Sequence, residues 1–194
     1  MSNFYSKTEL LQVGFRKVGQ NNKISKKVIF HQINGTIGKN VRIDDNVIIK
    51  GKIKIGSYVH IANNSILSGA KSGIKIGNFS GVSFNTLILC GTDDFFGDSF
   101  PEQCVKLIKK SNLFFKSFDQ QIVIGNGCSI GARSTLLAGT IIKNFSSIGS
   151  HSLLFLKTVN TGTYFSNFNL TKPIIKKRNL KSLQKKYNQL KKYL

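Results

Sequence analysis

The 194 residues carry 29 Lys plus Arg against 8 Asp plus Glu, a formal net charge of +21, and are enough chain for one domain with a real core. Three cysteines, Cys90, Cys104 and Cys128, without a CxxC spacing argue against a disulfide framework and a zinc knuckle, and no metal site is expected. The positive charge is diffuse lysine among abundant Asn and Ile, with no RRM, KH or helix-turn-helix signature, so no nucleic-acid partner is expected.

No apolar run approaches the about 20 residues that cross a bilayer, and no signal peptide is read at the start. A cytoplasmic protein is expected, with room for peripheral contact with the inner face of an anionic membrane.

Residues 1–17 are expected to form a helical cap. Ser6 followed by Glu9 is a capping box, each side chain satisfying a free backbone N–H at the start of a helix over 4–12. Val18, Ile24 and Phe30 then sit six apart and read as one imperfect coil. From there the step is regular: Ile37, Ile43, Ile49, Ile55, Ile61 and Leu67, then after a three-residue slip Ile76, Val82 and Ile88, and after a loop Ile124, Ile130, Leu136, Ile142, Ile148 and Leu154.

Four positions after many of these comes a smaller residue: Val41, Val47, Val59, Ser65, Ser80, Thr86, Cys128, Ser134, Thr140, Ser146 and Ser152. The residue immediately after is repeatedly Gly (Gly38, Gly56, Gly77, Gly125, Gly131, Gly149), read as backbone freedom at a corner. A step of six fits neither the 3.6 period of a helix nor a plain alternating strand. It fits a solenoid in which three short strands close one triangular coil, with aliphatic side chains inward; hexapeptide periodicity is the mark of a parallel β-helix. The fold class is therefore all-β. About six coils are expected over 18–160, with one extruded loop at 94–121 and a C-terminal segment at 161–194.

The loop carries Phe95, Phe96, Phe100, Phe114, Phe115 and Phe118, too many aromatics for a solvated linker. A neighbouring subunit is the expected packing surface. Five of the eight acidic residues, Asp93, Asp94, Asp98, Glu102 and Asp119, lie in or beside it. In the last segment Leu180, Leu183, Tyr187, Leu190 and Leu194 step by threes and fours, with Lys181, Lys185, Lys186, Lys191 and Lys192 on the other faces. That is an amphipathic helix. Three docking places stay open for it: the last coil, an anionic membrane surface, and another copy of the chain.

Three histidines are present, His31, His60 and His151. His60 precedes inward Ile61 and should face outward. Subtracting one coil of 18 residues puts Arg42 beneath His60 and Asp45 beneath Asn63, so Arg42, Asp44, Asp45, His60, Asn63 and Asn64 form one polar patch. A guanidinium beside the ring disfavours imidazolium and leaves His60 able to accept a proton; a purely structural histidine is the alternative reading.

Phe4-Tyr5-Ser6 with Glu9-Leu10, Arg42-Ile43-Asp44-Asp45, His60-Ile61-Ala62, and Asp93-Asp94-Phe95 with Gly97 are the stretches in which the chain resembles the hexapeptide-repeat acyltransferases. These are left-handed β-helix proteins that include the galactoside and maltose acetyltransferases. The resemblance covers most of 4–178 and is strongest to the branch that acylates sugars of bacterial surface polysaccharides.

It implies a left-handed parallel β-helix, a homotrimer with a protruding loop over a site between two subunits, and acetyl-CoA as co-substrate. The expected reaction is acyl transfer to a hydroxyl of a sugar or glycan precursor. An N-acetyltransferase of a nucleotide-linked amino sugar uses the same scaffold, and a non-catalytic β-helix binding module is the third reading.

The catalytic histidine of the better-known members falls at Asp93 here. Two arrangements therefore stay open: His60 as base with Asp93 or Asp94 orienting it across a subunit boundary, or an aspartate as the base itself. Asn63 matches an asparagine of those enzymes and is expected to hold the acyl or acceptor oxygen. For coenzyme A the resemblance points to Gly139, Lys172 and Arg178; Lys157, a cation after the loop, joins them because Lys and Arg bind phosphate by charge-assisted hydrogen bonds.

Overall fold

A computed structural model of the chain describes residues 2–94, 99–107, 109–165, 174–176 and 180–194. The hexads form a parallel β-solenoid. Its first face stacks Lys23–Ile24, Arg42–Ile43, His60–Ile61, Gly81–Val82, Ser129–Ile130, Ser147–Ile148 and Thr163–Phe165, each parallel to the last, and the antiparallel strand Ile174–Lys176 closes the stack. Seven parallel rungs stand where about six coils were expected, because the last rung, Thr163–Phe165, lies beyond the hexads.

Faces two and three belong to one continuous sheet. Strands Ile29–Ile37 and Ile48–Ile55 bend from one face onto the next without ending. Above them face two adds Ile66–Ser68, Leu87–Leu89, Thr135–Leu137 and Leu153–Leu154. Face three begins at Phe15–Val18 and adds Ile74–Ile76, Ile122–Ile124, Ile141–Ile142 and Thr158–Val159.

The inward aliphatic residues pile up in columns. Ile24, Ile43, Ile61, Val82, Ile130 and Ile148 are all buried on face one, and Ile49, Leu67, Ile88 and Leu136 on face two. The small second set is buried throughout. Its hydroxyls explain the preference for Ser and Thr: Thr86 Oγ1 donates to the Ser83 carbonyl at 2.8 Å, Ser134 Oγ to that of Gly149 at 3.0 Å, and Ser152 Oγ to the same Gly149 oxygen at 2.7 Å. A corner carbonyl turned away from the ladder finds its donor there, as buried polar groups require.

The repeated glycines are not there for backbone freedom, contrary to the expectation. At the corner between faces three and one, the left-handed position is held by Asn40, Tyr58, Phe79, Gly127 and Phe145. Gly56, two residues earlier than Tyr58, is needed because a Cβ would stand 2.6 Å from Asn78 Oδ1 in the next coil. That oxygen accepts the Ser57 N–H at 2.7 Å, and Asn126 and Asn144 repeat the bond one and two coils on, each at 2.8 Å. The ladder of amides leaves no room for a side chain.

The helix α1 (Lys7–Gln12) starts on the capping box, with Ser6 N–H to Glu9 Oε2 at 2.7 Å and Glu9 N–H to Ser6 Oγ at 3.2 Å. A hydrogen bond from Lys26, reinforced by Ser6, pulls the Glu9 carboxyl down to about 2. Leu10 of α1 is buried over the first coil, where Tyr5, Phe15 and Phe30 meet edge to face.

The loop leaves as Gly91–Asp93 and returns antiparallel as Ser117–Asp119, carrying a single-turn helix α2 (Glu102–Val105) between. Phe118 packs edge-on against Phe155 of the same chain, with ring centroids 5.4 Å apart, while Phe100 and Phe114 are exposed. Phe95 and Phe96 lie outside the described residues.

The C-terminal helix α3 (Leu180–Leu190) folds back along the three–one corner rather than over the last coil. Tyr187 sits edge-on against both Phe79 and Phe145, and the Tyr58 hydroxyl donates to the Tyr193 carbonyl at 3.0 Å. Among the described residues, no helix is long and apolar enough to cross a membrane.

Candidate active site

Two polar centres stand on different corners of the triangle. On face one Arg42 lies opposite His60 and Ile43 opposite Ile61, as subtraction of 18 residues requires. Asp44 therefore falls beneath Ala62, and Asp45 beneath Asn63, at the corner between faces one and two. Asp44 turns back and receives both neighbours: its Oδ1 accepts from Arg42 Nε at 2.6 Å, and its Oδ2 lies 2.7 Å from His60 Nε2.

The Asp44 side chain is only 13% exposed. Burial works to raise its carboxyl, but the hydrogen bonds from His60 and Arg42 outweigh it and hold the group below the ordinary aspartate range. A carboxylate can only accept, so the ring hydrogen of this contact sits on Nε2, and Nδ1 is the ring nitrogen not spent on Asp44. Within the chain, the residue that orients His60 is Asp44. Asp45 is held in turn by Ser25 Oγ at 2.6 Å and Lys27 Nζ at 2.9 Å. Asn63 is half-buried one coil above Asp45, and Ser83 follows one coil above Ala62.

The second centre is the corner between faces two and three, where the loop emerges. Asp93 ends the outgoing strand, and its Oδ1 accepts the Glu102 N–H at the start of α2 at 3.1 Å. The Asp94 N–H donates to the Lys116 carbonyl at 2.9 Å. Asp119, on the returning strand, accepts the N–H groups of Lys71 and Ser72 at 3.3 and 3.2 Å and so ties the loop to the coil below. Cys90 is buried here, and burial above all pushes its thiol up to about 11, which suits packing rather than nucleophilic work.

Below the loop opens a cleft of about 1130 Å³ whose walls include Arg16, Lys50, Lys52, Lys71, Asp93 and Asp119. Above it, on the same corner, lies Gly139 at φ +73°. A Cβ there would stand 2.6 Å from Gln120 Oε1 and 2.7 Å from Leu156 Cδ2. Lys157 follows Leu156 and is exposed, its carbonyl accepting the Ile141 N–H at 2.9 Å.

The residues singled out from sequence thus separate. Asp93, Asp94, Gly139 and Lys157 share the two–three corner, His60 and Asn63 share the one–two corner, and Lys172 and Arg178 lie outside the described residues. Sequence reasoning missed the part played by Asp44 and the cations of the cleft. The signal for Asp44 was its place two residues after Arg42, both pointing to one side.

Residues 34–69 match the bacterial transferase hexapeptide (six repeats) family. AntD, an N-acyltransferase from Bacillus cereus solved with dTDP and 3-hydroxybutyryl-CoA, superposes with a TM-score of 0.83 at 29% identity, covering 100% of this chain and 98% of that one. A variant of AntD bound to dTDP-4-amino-4,6-dideoxyglucose and coenzyme A gives 0.81 at 29% identity, over 97% and 98%. An Escherichia coli dTDP-4-amino-4,6-dideoxy-D-glucose acyltransferase is 29% identical over 155 residues, 78% of each chain. The Vibrio cholerae hexapeptide-repeat acetyltransferase VCA0836, at 14% identity and a TM-score of 0.51, shares the fold alone. In repeat and architecture this chain resembles the hexapeptide-repeat acyltransferases. The AntD structures match it over nearly its whole length.

Proposed function

We propose that this chain transfers an acyl group from an acyl-coenzyme A to the amino group of a nucleotide-linked amino sugar of the dTDP-4-amino-4,6-dideoxyglucose kind. One observation carries the reading: AntD matches at 29% identity over the whole length of both chains, the loop and C-terminal segment included. It favours the amine, the alternative acceptor read from sequence, over the sugar hydroxyl.

The chemistry agrees with the side chains at the loop. A neutral amine attacks without losing a proton first, and the ammonium formed needs only a modest base to collect that proton; a hydroxyl must be deprotonated as it attacks, which asks for a stronger one. A carboxylate suits the first task, and Asp93 stands where the loop leaves the solenoid. AntD was crystallised as variants at an aspartate and at a serine ten positions apart, and Ser83 and Asp93 have that separation here. This spacing supports Asp93 over Asp94 as the base.

In the reaction the amine nitrogen forms a bond to the thioester carbon, and the carbonyl oxygen becomes an oxyanion. Collapse breaks the C–S bond and releases the coenzyme A thiolate. The nitrogen's proton passes to Asp93 and from there to the thiolate or to water. Gly139 and Lys157, with Lys172 and Arg178, would line the coenzyme A side, and Asn63 would hold the acyl or acceptor oxygen.

Ser83 and His60 lie on the one–two corner and Asp93 on the two–three corner, with the width of face two between them. We infer a trimer in which the loop of one chain meets the His60 corner of the next, so that each site takes half its residues from each neighbour. His60, fixed by Asp44, then offers Nδ1 to a hydroxyl of the acceptor.

The test is an acceptor panel read by mass spectrometry. With acetyl-CoA or 3-hydroxybutyryl-CoA, the amide of dTDP-4-amino-4,6-dideoxyglucose should form and dTDP-glucose should remain unmodified. An ester on dTDP-glucose with the amine untouched would return the hydroxyl reading. No product from either, together with no thermal shift at millimolar acyl-CoA, would leave a binding module, since a ligand at 100 times its Kd stabilises by about 2.7 kcal/mol.

A further inference from the structure

We infer that the cleft below the loop is a diphosphate site, in which Arg16, Lys50, Lys52 and Lys71 hold the diphosphate of the nucleotide-linked acceptor and so present its amino sugar to Asp93. The inference rests on the acceptor proposed above and adds where, and by which side chains, that acceptor is held.

In a chain this basic an unpaired lysine means little. These four differ because separate coils deliver them to one concavity that also contains Asp93. Arg16 comes from the first strand of face three, Lys50 and Lys52 from the strand that bends across the corner, and Lys71 from the turn above. The ion pairs seen elsewhere join Lys26 to Glu9, Lys27 to Asp45, and Arg42 to Asp44. Among the described residues, no carboxylate stands within ion-pair distance of the four cations.

Three carboxylates also line the cleft, Asp93, Glu102 and Asp119, so the four cations leave it one net positive charge. Asp119 accepts two backbone N–H groups and Asp93 accepts that of Glu102. What the cleft offers a ligand is therefore net positive charge, in a volume of about 1130 Å³, large enough for a nucleotide by the usual size of small-molecule pockets.

Geometry favours the acceptor over the donor. Coils advance by about 4.8 Å each, so Arg16 lies about four coils below the level of Asp93, roughly 20 Å, while Lys71, Lys50 and Lys52 lie about one to two coils below it, roughly 5–10 Å. The latter span is the reach between a sugar's amino group and the diphosphate at its anomeric carbon. Gly139 and Lys157 lie on the other side of the loop. Two phosphate-bearing ligands would then approach Asp93 from opposite ends of one corner, without competing for the same cations.

The experiment is calorimetric titration of the full chain with dTDP and, separately, with acyl-CoA, comparing the wild type with the Lys50→Gln/Lys52→Gln double variant. Loss of two charge-assisted contacts should weaken dTDP about 30-fold and leave acyl-CoA within about twofold. Inorganic pyrophosphate should compete with dTDP on the wild type. In turnover, KM for the amino sugar nucleotide should rise by a similar factor with kcat held within about threefold. A Lys185→Gln/Lys186→Gln variant on α3 should bind dTDP as the wild type does.

Unchanged dTDP binding in the double variant, or a loss that falls on acyl-CoA instead, overturns the inference. So does a wild type that fails to bind dTDP at all. A wild type that binds dTDP through these lysines but acylates no amine keeps the diphosphate site and refutes the proposed reaction.

Discussion

The corner between faces one and two and the corner between faces two and three obey the same hexad rule inside and diverge outside. At the first, each turn repeats, and the same left-handed position recurs as Asn46, Asn64, Asn85, Arg133 and His151. The result is a flat edge whose side chains stack in ladders, with Arg42, Asp44 and His60 locked to one another. At the second, the turns change from coil to coil: a pivot at Gly51, a wider turn around Ala70 and Gly73, the long loop, then Gly139. Of these two corners, it is the one where the repeat is broken that opens into a cleft. The broken corner carries the cleft, the unpaired cations and Asp93. The regular corner contributes a fixed polar wall.

The distinction can be broken at several points. Asp93→Asn should lower kcat about 10³-fold, within the range of a lost general base, while Asp94→Asn and His60→Gln each cost under about tenfold. Steady-state kinetics with the amino sugar nucleotide measure all three, and equal losses would erase the division between the corners.

Ile61→Ala acts on the core that both corners share. Ile61 is fully buried, and removing its branched side chain should cost about 3 kcal/mol of unfolding free energy, read by denaturant melts. Gly139→Ala forces a Cβ onto positive φ and against Gln120 and Leu156. It should cost about 2 kcal/mol, with a rise in KM for acyl-CoA if the irregular corner seats the donor.

Asp44→Asn has the smallest effect and the most specific signature. The Asp44 carboxyl is depressed in the folded chain, so its stabilisation is complete above the ordinary value of 3.8 and is lost as pH falls through the lower folded value. Thermal melts of the wild type should fall more steeply than those of the variant below that point. Parallel curves would mean that the Arg42–Asp44–His60 cluster adds nothing to acid stability.

Much of this was legible in the chain. Aliphatic residues at a six-residue step face a closed interior, so Ile43, Ile61 and Val82 had to stack, and Arg42 had to lie under His60. Ser6 and Glu9 announced the first helix. The corrections come from contacts that no spacing encodes. Gly56 is glycine because of an amide one coil away, not because of its own φ. Spacing puts Asp44 in the polar patch with Arg42 and His60, but does not show that its carboxylate receives both of them.

Tyr58, Phe79 and Phe145 share one position of the repeat, and that coincidence was the available sign that α3 would lie along the side of the solenoid. Lys50 and Lys52 escaped notice because their strand bends across an irregular corner, where the 18-residue stride no longer says which residues face one another. The choice between amine and hydroxyl was not legible from side chains alone, since one scaffold serves both.

The measurement that bears most directly on a site shared between the two corners is subunit complementation. One parent is Asp93→Asn; the other is Ser83→Trp, which fills the His60 corner with a ring. Each alone should be inactive, while trimers co-assembled from equal amounts should regain roughly a quarter of wild-type activity, the fraction of interfaces with two intact halves. Mixed assemblies as inactive as their parents, or a Ser83→Trp chain active by itself, would contradict the account.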